Sequence, residues 1–202
     1  MSKAAAAIRE GCAVVVIDDT TPVEHSALVL AAEHATTKLI AFVIRHTGGF
    51  VCVALGETDC ERLGLPQTAP SSATRCRRQR VTVDAKDNGT GISAAARART
   101  LRALADPGST TTDFTRPGHV VPVGIPLRGP DEGVDGADFA EASIAIAELA
   151  GCSPVGAYAV LESVEHPTEV ADAAESERFA RRYGLNAVRL SDCLSWPLST
   201  LR

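Results

Sequence analysis

Two histidines and a few carboxylates carry most of the chemistry this chain could perform near neutral pH. Glu24 and His25 are adjacent and follow Asp18 and Asp19 within one polar turn. An imidazole oriented by a carboxylate is a general base whose charge changes near neutrality. His25 would be the base of such a dyad, with Glu24 or a nearby Asp orienting it; an exposed turn pair is the alternative. His119, in Arg116-Pro117-Gly118-His119, is a second candidate acid or base, unless it serves only to fix its loop by hydrogen bonds. Thr90-Gly91-Ile92-Ser93 precedes a helical run, where main-chain N–H groups and hydroxyls suit an anion, and where Ser93 is also a natural N-cap. Arg45 and His46 close another helical run, a position at which cations favour the C-terminal end of the helix dipole.

Six cysteines (Cys12, Cys52, Cys60, Cys76, Cys152, Cys193) show no CxxC pair and no zinc-ligand spacing, which argues against a structural metal and for reduced thiols in a cytoplasmic protein. The short basic run Arg75, Arg77, Arg78 and Arg80 reads as a solvated loop, with anion docking as the other reading. A net charge of -5 gives no electrostatic reason to expect nucleic acid or an anionic membrane as partner. The N-terminus is too weakly apolar for a signal peptide, and no run reaches the roughly 20 apolar residues of a membrane span.

These side chains need elements to hold them. At 202 residues, 45% hydrophobic and 22% charged, the chain is long enough for one good core and short for two, so one domain over 1–202 is expected. The run Ala13–Ile17 is β-branched and continuous, as in a strand covered on both faces. Ala27–His34 is a second apolar segment, and Thr36–Arg45 has helical spacing with Leu39, Ile40, Phe42 and Val43 on one face. Phe50–Leu55 is a strand and Glu57–Leu63 a short helix. Pro66–Arg80 has no periodicity and reads as a long surface loop, a candidate lid. Further on, strands are expected at Val81–Asp84, Val120–Val123 (short, and broken by proline), Tyr158–Leu161 and Ala187–Leu190. Helices are expected at Ala94–Ala105, Phe139–Ala150, stopped by Gly151, and Glu175–Tyr183, ended by Gly184. Interleaved strands and helices predict an α/β (α+β) domain with a mixed β-sheet flanked by helices.

Several blocks, in order, carry a resemblance over nearly the whole chain. They are Val15–Asp19, Arg45-His46-Thr47-Gly48-Gly49-Phe50-Val51-Cys52-Val53-Ala54-Leu55, Val81–Ala85, Thr90–Ser93, Arg97–Thr100 and Arg116–Val120, with Phe179–Leu185 near the end. Together they resemble the 3,4-dihydroxy-2-butanone-4-phosphate synthases of riboflavin biosynthesis, which convert ribulose 5-phosphate to that product and formate. The resemblance implies a homodimer with its active site at the subunit interface, Cys52 as an active-site cysteine, His119 as a pocket histidine, and Arg45 and His46 as pocket-lining residues. Many relatives carry a fused GTP cyclohydrolase II domain, and none is expected here.

The same resemblance implies losses. The family's acidic loop, Asp-Asp-Glu-Asp-Arg-Glu-Asn-Glu-Gly-Asp, reads here Asp18-Asp19-Thr20-Thr21-Pro22-Val23-Glu24-His25-Ser26-Ala27. Its Arg becomes Pro22, its metal-binding Glu becomes Val23, and its catalytic Asp becomes Ala27. The family's Arg-x-Gly-His-Thr-Glu-Ala segment falls on Gly136–Ala142, so a phosphate-binding Arg becomes Gly136, a metal-binding His becomes Phe139 and a Thr becomes Ala140, while Glu141 is kept. The late catalytic Glu falls at Val160, unless a two-residue shift brings in Glu162.

From these substitutions the expectation is a repurposed, metal-independent lyase, isomerase or cyclase acting on a carbonyl-containing small molecule in specialised biosynthesis, with the magnesium site lost and no cofactor. Catalysis would fall to Cys52, His119, His25 and Glu24, and substrate binding to Arg45, His46, Thr90, Ser93, Arg116, Glu141 and Asp18. A non-catalytic ligand- or partner-binding homologue is one alternative, and an authentic riboflavin-pathway synthase another.

Overall fold

The structure, a computed structural model, describes residues 1–22, 25–68, 78–126 and 138–195. In chain order the elements are α1 (Ser2–Arg9), β1 (Val14–Ile17), β2 (Ser26–Ala31), α2 (Thr37–His46), β3 (Cys52–Gly56), α3 (Glu57–Arg62), β4 (Val83–Ala85), α4 (Ala94–Ala105), β5 (Phe114–Ile125), α5 (Phe139–Leu149), β6 (Gly156–Val160), α6 (Ala173–Tyr183), β7 (Ala187–Arg189) and α7 (Leu190–Leu194). The strands form one mixed seven-stranded sheet in the order β4-β5-β3-β6-β2-β1-β7.

The β-branched run of β1 explains its place inside the sheet, between β2 and β7. Side chains alternate across a strand, and here Val15 and Ile17 enter a core against α2, α4 and α6, while Val14 and Val16 enter a second core against α1, α5 and α7. All four are buried. Helix α5 is buried almost all round, from Phe139 to Ala147, because the sheet covers one side and α1 and α7 cover another. Small residues allow this: Ala140, Ala142, Ala145 and Ala147 let the helix lie close to the sheet, and Ser143 abuts Gly156 of β6 so tightly that a side chain at 156 would collide with it.

Capping sets several boundaries. Thr36, Ser93, Asp138 and Asp172 accept hydrogen bonds from N–H groups in the first turns of α2, α4, α5 and α6. Gly184, with a left-handed φ of 66°, ends α6.

The fold class and single mixed sheet are as the sequence implies, with one strand misjudged. A short strand broken by proline is expected at Val120–Val123, yet β5 runs twelve residues through Pro117 and Pro122. The reason is the direction of one missing donor. Val121 donates its N–H to Val51 O at the β3 side, so the next backbone nitrogen, that of Pro122, points away from β3 and past the end of β4. No bond to β3 is lost there. Instead Arg80 N donates to Pro122 O at 2.9 Å, which ties down the base of the loop expected as a lid. The middle of that loop, residues 69–77, lies outside the described residues, and so does the lid reading.

Candidate active site

Strand register brings most of the singled-out residues to one end of the sheet. Ile17 pairs with Ser26, and Ala27 with Val160, so Asp18, His25 and Glu162 share that end. Cys52, at the start of β3, lies opposite Tyr158 of β6 on one side and Val121 of β5 on the other, with His119 two residues ahead. Glu24 lies outside the described residues.

On the α5 face these groups form a continuous line. Asp18 is buried, and its oxygens accept from Thr20 N at 2.8 Å, Thr20 Oγ1 at 2.6 Å and Thr21 Oγ1 at 3.2 Å. His25 Nδ1 stands 3.6 Å from Asp18 Oδ2, and the imidazole meets Phe139 edge-on at 5.0 Å. Phe139 in turn lies 6.4 Å from Tyr158, the cross-strand partner of Cys52. Burial pushes the Cys52 thiol up to about 12, although Tyr158 beside it works the other way. Burial and the Cys52 contact also hold the Tyr158 phenol well above its usual range. Both are therefore neutral donors at physiological pH, and Cys52 is not a standing nucleophile.

At the start of α5, Asp138 and Glu141 form a reciprocal capping box, Asp138 N donating to Glu141 Oε2 at 3.0 Å. Arg78 closes the group, donating to Asp138 Oδ2 at 2.7 Å and to Glu141 Oε1. Glu141 is therefore positioned by a buried ion pair, and its first assignment is to Arg78 and the cap.

The second histidine has a partner that residue types alone did not give. His119 Nδ1 lies 2.7 Å from Asp84 Oδ2, and His119 N donates to Asp84 Oδ1 at 3.0 Å. A carboxylate on Nδ1 fixes the tautomer with Nε2 as acceptor, in a side chain 39% exposed. Gly91 leaves the space that the Asp84 carboxylate fills. Thr90 and Ser93 are exposed beside it, with Ser93 Oγ capping Ala96 N.

Three binding candidates and the late-acid alternative Glu162 lie outside this line or are otherwise engaged. Arg116, expected to bind substrate, donates to the carbonyls of Leu63, Gly64, Thr111 and Phe114 and so clamps the α3–β5 junction. His46 packs within an aromatic group of Phe42, Phe179 and Tyr183, and burial together with Arg45 and Arg182 lowers its pKa. Arg45 is exposed at the end of α2. Glu162, beyond β6, lies beside Gly48 and lines a cleft with Leu161, Phe179 and Arg182.

Reasoning from residue types named Glu141 but missed Tyr158, Asp84 and the pairing of Arg78 and Asp138 with Glu141. Asp84 stands inside one of the matching blocks, which is the available signal; the other partners emerge only from strand register and helix placement.

With this geometry in place, kinship decides the family. The profile of 3,4-dihydroxy-2-butanone 4-phosphate synthase matches residues 2–196. The chain belongs to this family. Riboflavin biosynthesis protein RibBA of Mycobacterium marinum is 43% identical over 199 residues, covering 97% of this chain and 46% of that protein. RibBA of Mycobacterium tuberculosis is 42% identical with the same coverage. The chain thus spans about half the length of the curated relatives it matches. A crystal structure of a 3,4-dihydroxy-2-butanone 4-phosphate synthase with two magnesium ions superposes with a TM-score of 0.83 at 32% identity, covering 96% of this chain and 94% of that one. A two-domain synthase of A. baumannii gives 0.85 at 30% identity, covering 95% of this chain and 55% of that one.

These findings correct two expectations. The expectation of a repurposed, metal-independent enzyme of specialised biosynthesis is overturned, since relatives matching 97% of the chain are named for riboflavin biosynthesis. The expectation of no cofactor is overturned by the magnesium-bearing relative. The physical reason for both errors is the same. Counting lost donors at Pro22, Val23, Ala27, Phe139 and Ala140 treats every position as irreplaceable, whereas the fold brings Asp18 and His25 together across the turn.

The donors at this end suit a divalent cation of modest protein coordination. Asp18 Oδ2 and His25 Nδ1 supply a hard oxygen and an imidazole nitrogen 3.6 Å apart. Magnesium commonly takes only one or two protein carboxylates, with water and substrate oxygens completing its shell. Phe139 and Ala140 offer no ligand.

Proposed function

We propose that this chain forms 3,4-dihydroxy-2-butanone 4-phosphate and formate from ribulose 5-phosphate, a lyase-type step of riboflavin biosynthesis in the cytoplasm. The observation that carries this reading is the end-to-end family match, supported by the gathering of Asp18, His25, Cys52 and Tyr158 at one sheet end.

The chemistry begins with removal of a proton next to a carbonyl. His119 is suited to this step, because Asp84 holds Nδ1–H, so that Nε2 can accept the proton and the carboxylate stabilises the resulting imidazolium. Asp18 and His25 would hold a divalent cation, which when bound supplies positive charge for the enediolate oxygens. Cys52 and Tyr158, both neutral, donate hydrogen bonds to oxygen as negative charge develops there. The substrate phosphate docks at the N-terminus of α4, where Thr90 and Ser93 present hydroxyls beside main-chain N–H groups.

We further propose a homodimer with this site at its interface. Arg97 donates to Gly49 O and Ile92 O and so draws two loops together, and on these loops Phe50 and Ile92 leave large apolar side chains exposed.

Ribulose 5-phosphate with magnesium should yield formate, and a chelator should abolish it. No formate above a protein-free control, with magnesium present and the protein folded, would retire this reading in favour of a ligand-binding role.

A further inference from the structure

At the opposite end of the sheet, side chains from two distant stretches converge. Glu33 and His34 lie on the single 3-10 turn Ala32–His34 that follows β2, and Cys152 follows α5 just past Gly151, whose φ is 76°. The Glu33 carboxylate, a His34 ring nitrogen and the Cys152 sulfur all lie within 4.8 Å of one another, and this is the only such group of three among the described residues. From these three ligands we propose a zinc site, separate from the synthase centre, with Glu33, His34 and Cys152 as ligands and water in the fourth position.

Three features support it. First, spacing: Zn–O and Zn–N bonds of about 2.0–2.2 Å in a tetrahedron put neighbouring ligand atoms about 3.3–3.6 Å apart. His34 Nε2 and Glu33 Oε1 are 3.6 Å apart before any metal draws them in. Second, ligand chemistry: the thiolate, joined by an imidazole and one carboxylate, selects zinc or a related transition metal over magnesium or calcium, for which a soft sulfur is a poor ligand. Third, preorganisation: Ser153 donates its N–H at 3.0 Å and its hydroxyl at 2.6 Å to Glu33 Oε2, which leaves Oε1 turned toward His34.

The charged surroundings are mixed. Arg9 and Arg102 border the cleft, but Arg9 Nε is engaged with Ala150 O at 2.8 Å and Arg102 with Ala35 O, while Glu10 adds a carboxylate to the rim. Without metal, burial and the Glu33 charge push the Cys152 thiol up to about 11. Zinc must therefore displace the thiol proton, and each ion bound releases one proton from Cys152 and binds more tightly as pH rises.

The test uses the chelator-stripped 202-residue protein, titrated with zinc chloride against a chromogenic chelator and separately with cobalt chloride. One equivalent of zinc should bind, and cobalt should show a thiolate-to-metal charge-transfer band in the near ultraviolet that excess magnesium does not remove. Cys152→Ser should abolish the band. Loss of an outer-shell partner alone costs roughly 10–100-fold in affinity, so loss of this ligand should weaken zinc binding at least about tenfold. His34→Gln should also weaken zinc binding, and Cys52→Ser should leave the band intact. Far-UV circular dichroism of the metal-free variants checks folding, and if Cys152→Ser does not fold, His34→Gln decides. Absence of the cobalt band, its survival in Cys152→Ser, or unchanged zinc affinity in His34→Gln would overturn the site.

Discussion

His119 and Asp84 are the clearest pair at the level of single residues, because a 2.7 Å contact to Nδ1 both orients the ring and fixes which nitrogen is left to accept a proton. Replacing a positioned general base typically costs ~10²–10⁴-fold in rate. His119→Ala should therefore lower kcat by that order with ribulose 5-phosphate, while Asp84→Asn, which admits the wrong tautomer, should lower it less. Cys52 behaves differently. With its thiol pushed up to about 12, it should resist alkylation at neutral pH in the folded protein, whereas exposed Cys12 reacts; mass spectrometry after brief labelling distinguishes them. The types of these residues are readable in the sequence, but their partners are not. Asp84 and His119 are separated by 35 positions, and Cys52 and Tyr158 meet only through β3–β6 pairing. The mistaken inference of metal loss has a different source, since the sequence already sets His25 in one turn with Asp18: reading the pair as an acid–base dyad leaves it unweighed as cation donors.

Among the elements, α5 is the one whose burial exceeds what its pattern suggests. The apolar spacing predicts a helix at Phe139–Ala150, but alanines on every side give no hint that α1 and α7 cover its outer face. Ile146 is fully buried between α5 and β1–β2. Truncation of a buried Ile to Ala costs about 2–5 kcal/mol, so Ile146→Ala should lower the denaturant midpoint while the products stay the same. The β4–β5 pair is equally constrained at Gly118, where a Cβ would collide with the Val83 backbone. Gly118→Ala should destabilise the protein and, by displacing Asp84 from His119, also depress activity; thermal melting and formate release report the two effects separately. β5 itself is legible only in part, because a proline inside a strand reads as a break until the direction of its nitrogen is known.

For the molecule as a whole, three buried thiols govern its alkaline limit. Cys52, Cys60 and Cys193 rise from an ordinary 9.0 to about 12, mainly through burial. A group with a raised folded-state pKa contributes stability that is complete below its unfolded value and is lost as pH climbs through the folded one. Stability should therefore fall between about pH 9 and pH 12, and Cys193→Ala should flatten that decline in denaturant titrations at stepped pH. The proposed dimer predicts a mass by light scattering about twice the 21.1 kDa of the chain, reduced by Phe50→Lys. No helix among the described residues is long and apolar enough to cross a membrane. Sheet proteins face one more hazard at this scale, because an uncovered strand margin recruits strands from other molecules. Where β4 stops short, β5 could have offered such a margin. Pro122 has no hydrogen to present there, and Arg80 already occupies its carbonyl. The Gln79–Val123 bridge lays the chain's own segment along β5 there, so the margin is closed to a foreign strand at that point.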